Sequence, residues 1–158
     1  IDHIAKSAPL HDIGKVAIPD HILLKPGRLN DEELVIMREH AMHGWEMLQR
    51  AASRMGDEDG FLHHAMDISR YHHEKWNGSG YPDKLAGEQI PLSARLMAVA
   101  DVYDAQISRR PYKEPMGHER AVAFIHEGCG THFDPEIVQA FDDTLDQFVR
   151  IAATWSDE

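Results

Sequence analysis

Residues 31–54 read DEELVIMREHAMHGWEMLQRAASR, and this stretch carries the pattern that decides the fold class. Its apolar residues recur at intervals of three and four positions, and they are Leu34, Met37, Ala41, Trp45 and Leu48. This spacing places the apolar side chains on one face of an α-helix. Asn30 or Asp31 fits the N-cap position, and the acidic residues that follow suit the first turn. The stretch therefore predicts one helix from Asp31 to about Arg54.

Helical spacing also dominates the rest of the chain. We predict further helices at 61–72, 92–107, 118–126 and 135–153, and the end of another at 1–9. Residues 74–90 hold closely spaced glycines and prolines, which indicates an irregular loop. Because no alternating strand pattern of useful length occurs, we predict an all-α bundle of about five to seven helices. It would form a single domain over residues 1–158, and because the chain starts inside a helix we expect that domain to be incomplete at its N-terminus.

The composition narrows the function classes. The chain has 158 residues, of which 42% are hydrophobic and 27% are charged, and its formal net charge is −11. This acidic balance disfavours binding to duplex nucleic acid, because contacts to phosphates need a basic surface. No apolar run approaches the length of a membrane span, so we expect no membrane contact by this domain.

Histidine is abundant and cysteine is scarce. The chain has twelve histidines and one cysteine, Cys129. A lone cysteine excludes a disulfide framework and a thiolate metal site. Histidines together with carboxylates instead suit a metal site built from nitrogen and oxygen ligands.

Two dipeptides could supply such ligands. His11-Asp12 places an imidazole beside a carboxylate whose two oxygens can bridge two ions, and Lys15 would project the same way if a helix continues. The alternative is a surface dipeptide at a helix end. His72-His73 lies at a predicted helix end, where both rings can converge on one metal, whereas within a helix adjacent residues diverge by about 100°. The alternative there is one packed ring and one solvated ring.

Asp101 and His40 are further candidates. Asp101 lies in the apolar segment 96–105, where a carboxylate is costly unless it is paired or binds a cation, although it could equally lie on a solvated stripe. His40 shares a helix face with His43, and either could be a core residue instead. The combined set comes from four helices or helix ends, as a metal site at the centre of a bundle requires. Its members are His11, Asp12, His40, His72, His73 and Asp101.

These residues belong to an ordered series of motifs. The series is LHDIGK at 10–15, IPD at 18–20, LKPGRL at 24–29, MREH at 37–40, HHEKWNGSGYP at 72–82, IPL at 90–92, AVADVYDA at 98–105, RPYK at 110–113 and GTHFDP at 130–135. It resembles the HD-GYP domain of bacterial cyclic di-GMP phosphodiesterases, a branch of the HD phosphohydrolase superfamily. The resemblance covers nearly the whole chain and implies a helical HD-superfamily bundle with an irregular loop around Gly80-Tyr81-Pro82.

The resemblance also implies a role for each matching residue. The implied metal ligands are His11, Asp12, His40, His72, His73 and Asp101. Asp12 would bridge the two ions, and Lys15 would contact the scissile phosphate or assist the leaving oxygen. Arg110 and Lys113 would grip the phosphates of the dinucleotide, and Tyr81 would contact the substrate or shape the edge of its pocket.

The implied activity is metal-dependent hydrolysis. A hydroxide that bridges two divalent ions would attack phosphorus in line and open cyclic di-GMP to linear pGpG, which some members cut onward to GMP. Iron is the expected metal by resemblance, while manganese, zinc and nickel suit the same ligands. A third ion is left in doubt, because the upstream Glu and His of the family have no counterpart in this chain.

Two alternatives to this activity stay open. Another cyclic dinucleotide, such as cyclic GMP-AMP, would satisfy the same phosphate-binding residues. A non-catalytic interaction module would result if the upstream ligands are absent. The resemblance further implies a bacterial cytoplasmic protein with an N-terminal receiver or sensor module, and with GGDEF-type cyclases as candidate partners at the loop around Tyr81.

Overall fold

Nine α-helices follow one another in a computed structural model of the protein that describes residues 2–55, 60–108 and 117–155. They are α1 (Asp2–Ser7), α2 (Asp20–Leu23), α3 (Asp31–Arg38), α4 (His40–Met55), α5 (Phe61–Tyr71), α6 (Leu92–Ile107), α7 (His118–Glu127), α8 (Pro135–Asp143) and α9 (Leu145–Trp155). Short 3-10 helices occur at Ala8–Leu10, Ile13–Ala17 and Gly87–Gln89. No strand occurs within the described ranges, so the predicted all-α class is confirmed.

The predicted number of helices, about five to seven, agrees with the number of longer helices. Seven of the nine helices in the described part of the chain have at least eight residues, whereas α1 has six and α2 has four. The bounds of α6, Leu92 and Ile107, are those predicted, and α5 ends at Tyr71, one residue before its predicted end. Residues 74–90 are irregular apart from one 3-10 turn, which confirms the predicted loop.

The stretch from 31 to 54 forms two helices. Asn30 caps α3 by accepting a hydrogen bond from the Glu33 backbone N–H, and the Glu33 carboxylate accepts one from the Asn30 backbone. The helix breaks at Glu39, whose N–H bonds to the Ile36 carbonyl in a tighter turn, and α4 begins at His40. The prediction of one continuous helix is therefore wrong. The sequence does not reveal the break, because the apolar spacing continues unchanged across it.

The predicted helix from 135 to 153 is also divided. Asp134 caps α8 as predicted, by accepting a hydrogen bond of 2.9 Å from the Glu136 N–H. The helix ends at Asp143, and the Thr144 hydroxyl donates to the Ala140 carbonyl. α9 then begins at the next residue, so the apolar spacing again continues across a break in the backbone.

Helix α6 connects two parts of the molecule. α4 packs against α5 and against the 3-10 helix Ile13–Ala17, and α5 packs against α1 and α6. α6 also packs against α7 and α8, where a buried apolar cluster forms. The cluster consists of Val99, Tyr103, Ala121, Ile125, Phe133, Val138 and Phe141. None of the described helices combines the length and the apolar character needed to cross a membrane.

Candidate metal centre

His11 and Asp12 lie in a turn between the 3-10 helices Ala8–Leu10 and Ile13–Ala17. Gly14 lets this turn contact the start of α4, because a Cβ atom at Gly14 would lie 1.9 Å from the His40 carbonyl oxygen. No other residue could be placed there without a shift of the backbone. The glycine thereby brings the His11-Asp12 pair next to His40.

His72 and His73 follow directly on the last residue of α5. Their ring centroids are 3.9 Å apart. The His72 ring also approaches the rings of His11 and His40, with centroid distances of 5.3 Å and 5.8 Å. The end of α5 thus places two adjacent histidines beside the other candidate ligands.

Three of the imidazoles are oriented by the same kind of hydrogen bond. The Nδ1 atoms of His11, His40 and His72 each lie 2.6–2.8 Å from a backbone carbonyl oxygen about one turn earlier in the chain. A carbonyl oxygen can only accept, so Nδ1 carries a proton, and in the neutral ring Nε2 keeps a free lone pair. Metal-binding histidines are commonly oriented in this way, because the hydrogen bond selects the tautomer and the ring direction.

Asp12 lies between two groups of these side chains. Its Oδ2 atom is 3.2 Å from His11 Nε2, and the same nitrogen is 3.8 Å from Asp101 Oδ1. Its Oδ1 atom is 3.4 Å from His40 Nε2 and 4.0 Å from His72 Nε2. Each carboxylate oxygen faces a different group, and this is the arrangement that a bridging carboxylate needs.

His73 completes a close group with Asp12, His40 and His72, in which one ligand atom of each residue lies within 4.8 Å of the others. Asp12 Oδ1 and His72 Nε2 are both buried, and neither has a hydrogen-bond partner within the described ranges. Buried acceptors without donors cost free energy, and a cation placed between them removes that cost. The cluster therefore indicates divalent metal binding.

Burial keeps the histidines of this group neutral. It lowers the pKa of His40, and it lowers the pKa of His72 to about 4. Burial and the neighbouring His72 together lower the pKa of His73. Neutral imidazole is the form that binds a metal, so these rings need not release a proton near neutral pH.

Asp12 is held in its ionised form. Burial favours the neutral acid, but hydrogen bonds from His11 and Lys15 outweigh it and keep the pKa of Asp12 well below its usual range. Burial also opposes protonation of His11, yet hydrogen bonds to Asp12 and to the Ala8 carbonyl raise the pKa of this imidazole. The centre thus keeps a negatively charged carboxylate between the two groups of candidate ligands.

Lys15 and Tyr81 border the ligand group. The Lys15 ammonium donates a hydrogen bond to Asp12 Oδ2. The Tyr81 ring stacks on His73, with 4.8 Å between the centroids and 24° between the planes. Burial raises the pKa of Tyr81 above its usual range, so the phenol keeps its proton.

Sequence reasoning missed two residues near the centre. Glu74 is buried, and its Oε1 atom accepts a hydrogen bond of 2.7 Å from the Asp83 N–H, which ties the loop that contains Tyr81 to the histidine pair. The guanidinium of Arg38 lies 5.1 Å from the centre of the Tyr81 ring. Glu74 directly follows His73, but no local pattern shows that its side chain turns inward. Arg38 gives no local signal either, because the ring that it contacts is distant in sequence.

Most of the predicted site residues meet at this centre. The residues that the structure brings together are His11, Asp12, Lys15, His40, His72, His73, Tyr81 and Asp101. The predicted phosphate-binding residues Arg110 and Lys113 lie outside the described residues. The individual roles of all these side chains stay predictions.

The profile of the HD domain family matches residues 2–137 of the chain. A Vibrio cholerae serotype O1 protein named "Probable cyclic di-GMP phosphodiesterase" is 54% identical over 100% of this chain and 36% of its own length. The cyclic di-GMP phosphodiesterase response regulator RpfG of Xanthomonas campestris pv. campestris is 47% identical over 87% of this chain and 35% of its own length.

A further Vibrio cholerae serotype O1 protein carries a different substrate in its name. The 3'3'-cGAMP-specific phosphodiesterase 2 is 43% identical over 99% of this chain and 29% of its own length. The chain thus spans about a third of the length of the relatives that it matches.

Proposed function

The chain belongs to the HD domain family, as its sequence predicts, and from this membership we propose that it hydrolyses cyclic di-GMP to linear pGpG with the help of divalent metal ions. The observation that carries the proposal is the placement of Asp12, whose two oxygens face separate groups of histidine and carboxylate side chains. The names of relatives at 47–54% identity support cyclic di-GMP as the substrate.

Two ions would fit the two faces of Asp12. His11, Asp12 and Asp101 would hold one ion, and the second would be held by Asp12 together with His40, His72 and His73. Iron is our proposed metal, and manganese, zinc and nickel suit the same nitrogen and oxygen ligands. When bound, such ions supply an activated water and offset the charge that develops on the phosphoryl oxygens.

The side chains of the chain bind and orient the substrate around that chemistry. The Lys15 ammonium, which lies beside Asp12, would attract the scissile phosphate and donate a hydrogen bond to one of its oxygens. The protonated phenol of Tyr81 would donate to the substrate from the His73 side of the centre. Arg110 and Lys113 would add positive charge, which an acidic protein needs locally to bind a dianion.

The end product and the substrate are two features of the proposed activity that can differ within the family. Onward hydrolysis of pGpG to GMP would use the same metal centre. A cyclic dinucleotide with one adenine is a second candidate substrate, because the relative at 43% identity is named as specific for 3'3'-cGAMP.

We also propose the setting in which the domain acts. Residues 1–158 would form one HD domain in the bacterial cytoplasm, a compartment that suits an exposed free cysteine, Cys129. A receiver or sensor module would control it, as the response-regulator name of one relative suggests. GGDEF-type cyclases would dock at the loop around Tyr81.

A substrate panel tests the proposed activity. The full-length protein is incubated with Fe(II) or Mn(II) and with cyclic di-GMP, cyclic GMP-AMP or cyclic di-AMP, and the linear products are separated by chromatography. We expect pGpG from cyclic di-GMP, and no product when a chelator removes the metal. Preferred cleavage of cyclic GMP-AMP would select the second substrate, and metal-loaded protein that cleaves none of the three would indicate a non-catalytic module.

A further inference from the structure

We propose that Arg38 binds the second phosphate of a cyclic dinucleotide, the phosphate that does not lie at the metal centre while the first is cleaved. This inference rests on the proposed function and assigns a substrate contact to a residue outside the predicted site.

Arg38 lies close to the centre although it is not one of its ligands. It is the last residue of α3 and precedes His40 by two positions. Its guanidinium carbon is 5.1 Å from the centre of the Tyr81 ring, and that ring stacks on His73 with 4.8 Å between centroids. The guanidinium and a candidate metal ligand therefore both contact the same aromatic ring.

The charge of Arg38 is available to a ligand. The residue is exposed, and no carboxylate in the described part of the chain lies within ion-pair distance of it. The carboxylate of the neighbouring Glu39 approaches His43 instead, at 3.7 Å. Lys15, by contrast, already pairs with Asp12. Arg38 can thus bind an anion without first breaking an ion pair to any of the described carboxylates.

The substrate supplies an anion that needs such a partner. A cyclic dinucleotide carries two phosphates, and only one of them can lie at the metal centre at a time. The protein has a net charge of −11, so binding of two phosphates requires several local cations, and Arg38 would add its charge to those proposed for Arg110 and Lys113. A guanidinium over an aromatic ring presents its N–H groups along its edge, where they can bind a phosphate through two parallel hydrogen bonds.

Three variants of the full-length protein separate the possible roles of this side chain. Arg38→Met removes the charge but keeps the length of the side chain. Arg38→Lys keeps the charge but loses the two parallel N–H donors of the guanidinium. Arg54→Met is the matched control, since Arg54 is exposed near the other end of α4, about 21 Å from His40 along the helix. Steady-state kinetics with cyclic di-GMP are measured at about 50 mM and about 500 mM NaCl, where screening differs strongly.

We expect Arg38→Met to raise KM about tenfold at low salt, the loss of one charge-assisted contact, with kcat within about twofold of wild type. Arg38→Lys should raise KM by only about threefold, and Arg54→Met should leave both constants unchanged. At high salt the ratio of mutant to wild-type KM should shrink, because screening weakens a contact to phosphate.

Three outcomes would overturn the proposal. An unchanged KM in Arg38→Met would show that Arg38 does not contact the substrate. A KM ratio that is equal at both salt concentrations would indicate an uncharged base edge as the ligand. A wild-type protein that neither binds nor cleaves any cyclic dinucleotide would overturn the proposed function together with this inference, whereas the first two results leave that function standing.

Discussion

Helix α6 contributes to two regions that are built in opposite ways. Asp101 faces His11 in the metal centre, whereas Val99 and Tyr103 of the same helix belong to the apolar cluster. In the cluster, rings fill the space between helices, and Phe141 lies 5.7 Å from Tyr103 between centroids. Close packing of this kind stabilises the folded chain through apolar burial and dispersion.

The metal centre, by contrast, is not stabilised by contacts within the protein alone. Asp12 Oδ1 and His72 Nε2 are buried there without a hydrogen-bond partner in the described residues. Such groups lower the stability of the metal-free protein and are compensated when a cation binds. The comparison indicates that changes in the cluster should affect folding, while changes in the centre should affect metal binding and activity.

The largest expected effect is that of Asp12→Asn on activity. The amide keeps the shape of the carboxylate but removes the charge that two cations would share in the proposed centre, so metal affinity and hydrolysis should each fall by at least about 100-fold. Metal content and product formation measure this. Asp104→Asn, an exposed carboxylate one turn after Asp101 on α6, is the matched control and should keep both near wild type. An Asp12→Asn variant that cleaves as fast as wild type would contradict the expectation that changes in the metal centre affect activity.

Phe141→Ala should have the opposite profile. Phe141 is 3% exposed, and its removal leaves a cavity in the cluster that should lower the free energy of unfolding by about 3–5 kcal/mol. The folded fraction should still bind metal. Denaturant titration measures the loss, and Phe124→Ala, which removes a ring that is 40% exposed, should cost less than about 1 kcal/mol. Equal costs for the two variants would mean that the cluster does not stabilise the fold.

The smallest expected effect concerns pH. Burial lowers the pKa of folded His72 to about 4 from an ordinary value of 6.5. Between these values the unfolded chain binds a proton that the folded chain does not bind, so the metal-free protein should lose stability as pH falls through this window. His72→Gln should reduce this pH-dependent loss in the free energy of unfolding by up to about 3 kcal/mol.

Urea titrations of chelated protein near neutral pH and near the lower end of this window measure the difference. His21→Gln replaces an exposed histidine and should follow the pH dependence of wild type. Parallel pH profiles for wild type and His72→Gln would show that His72 is not a source of the metal centre's instability.

Sequence reasoning predicts much of the centre because its candidate ligands lie in short motifs. His72 and His73 converge because α5 ends beside them, and a helix end is readable from local spacing. The His11-Asp12 pair is likewise a local feature. What the sequence shows less directly is which oxygen of Asp12 faces which histidine, since that depends on contacts between distant segments.

The errors of sequence reasoning share one physical cause. Apolar spacing continues from Leu34 through Ala41, yet the helix breaks at Glu39 and the His40 imidazole bonds to the Met37 carbonyl. Periodicity reports which face of a helix is buried, and it does not report a side chain that competes for a backbone group. The contact between Arg38 and the Tyr81 ring is invisible for a related reason, because it joins two segments that have no sequence relation.

The most direct test of the account is to locate the metal ions. Crystals of protein loaded with Mn(II) give anomalous scattering that places each ion without reference to the fold. We predict two peaks, one beside each oxygen of Asp12, with His11 and Asp101 near the first and with His40, His72 and His73 near the second. A single peak, or peaks that do not share Asp12, would contradict the bridging role on which the proposed hydrolysis depends.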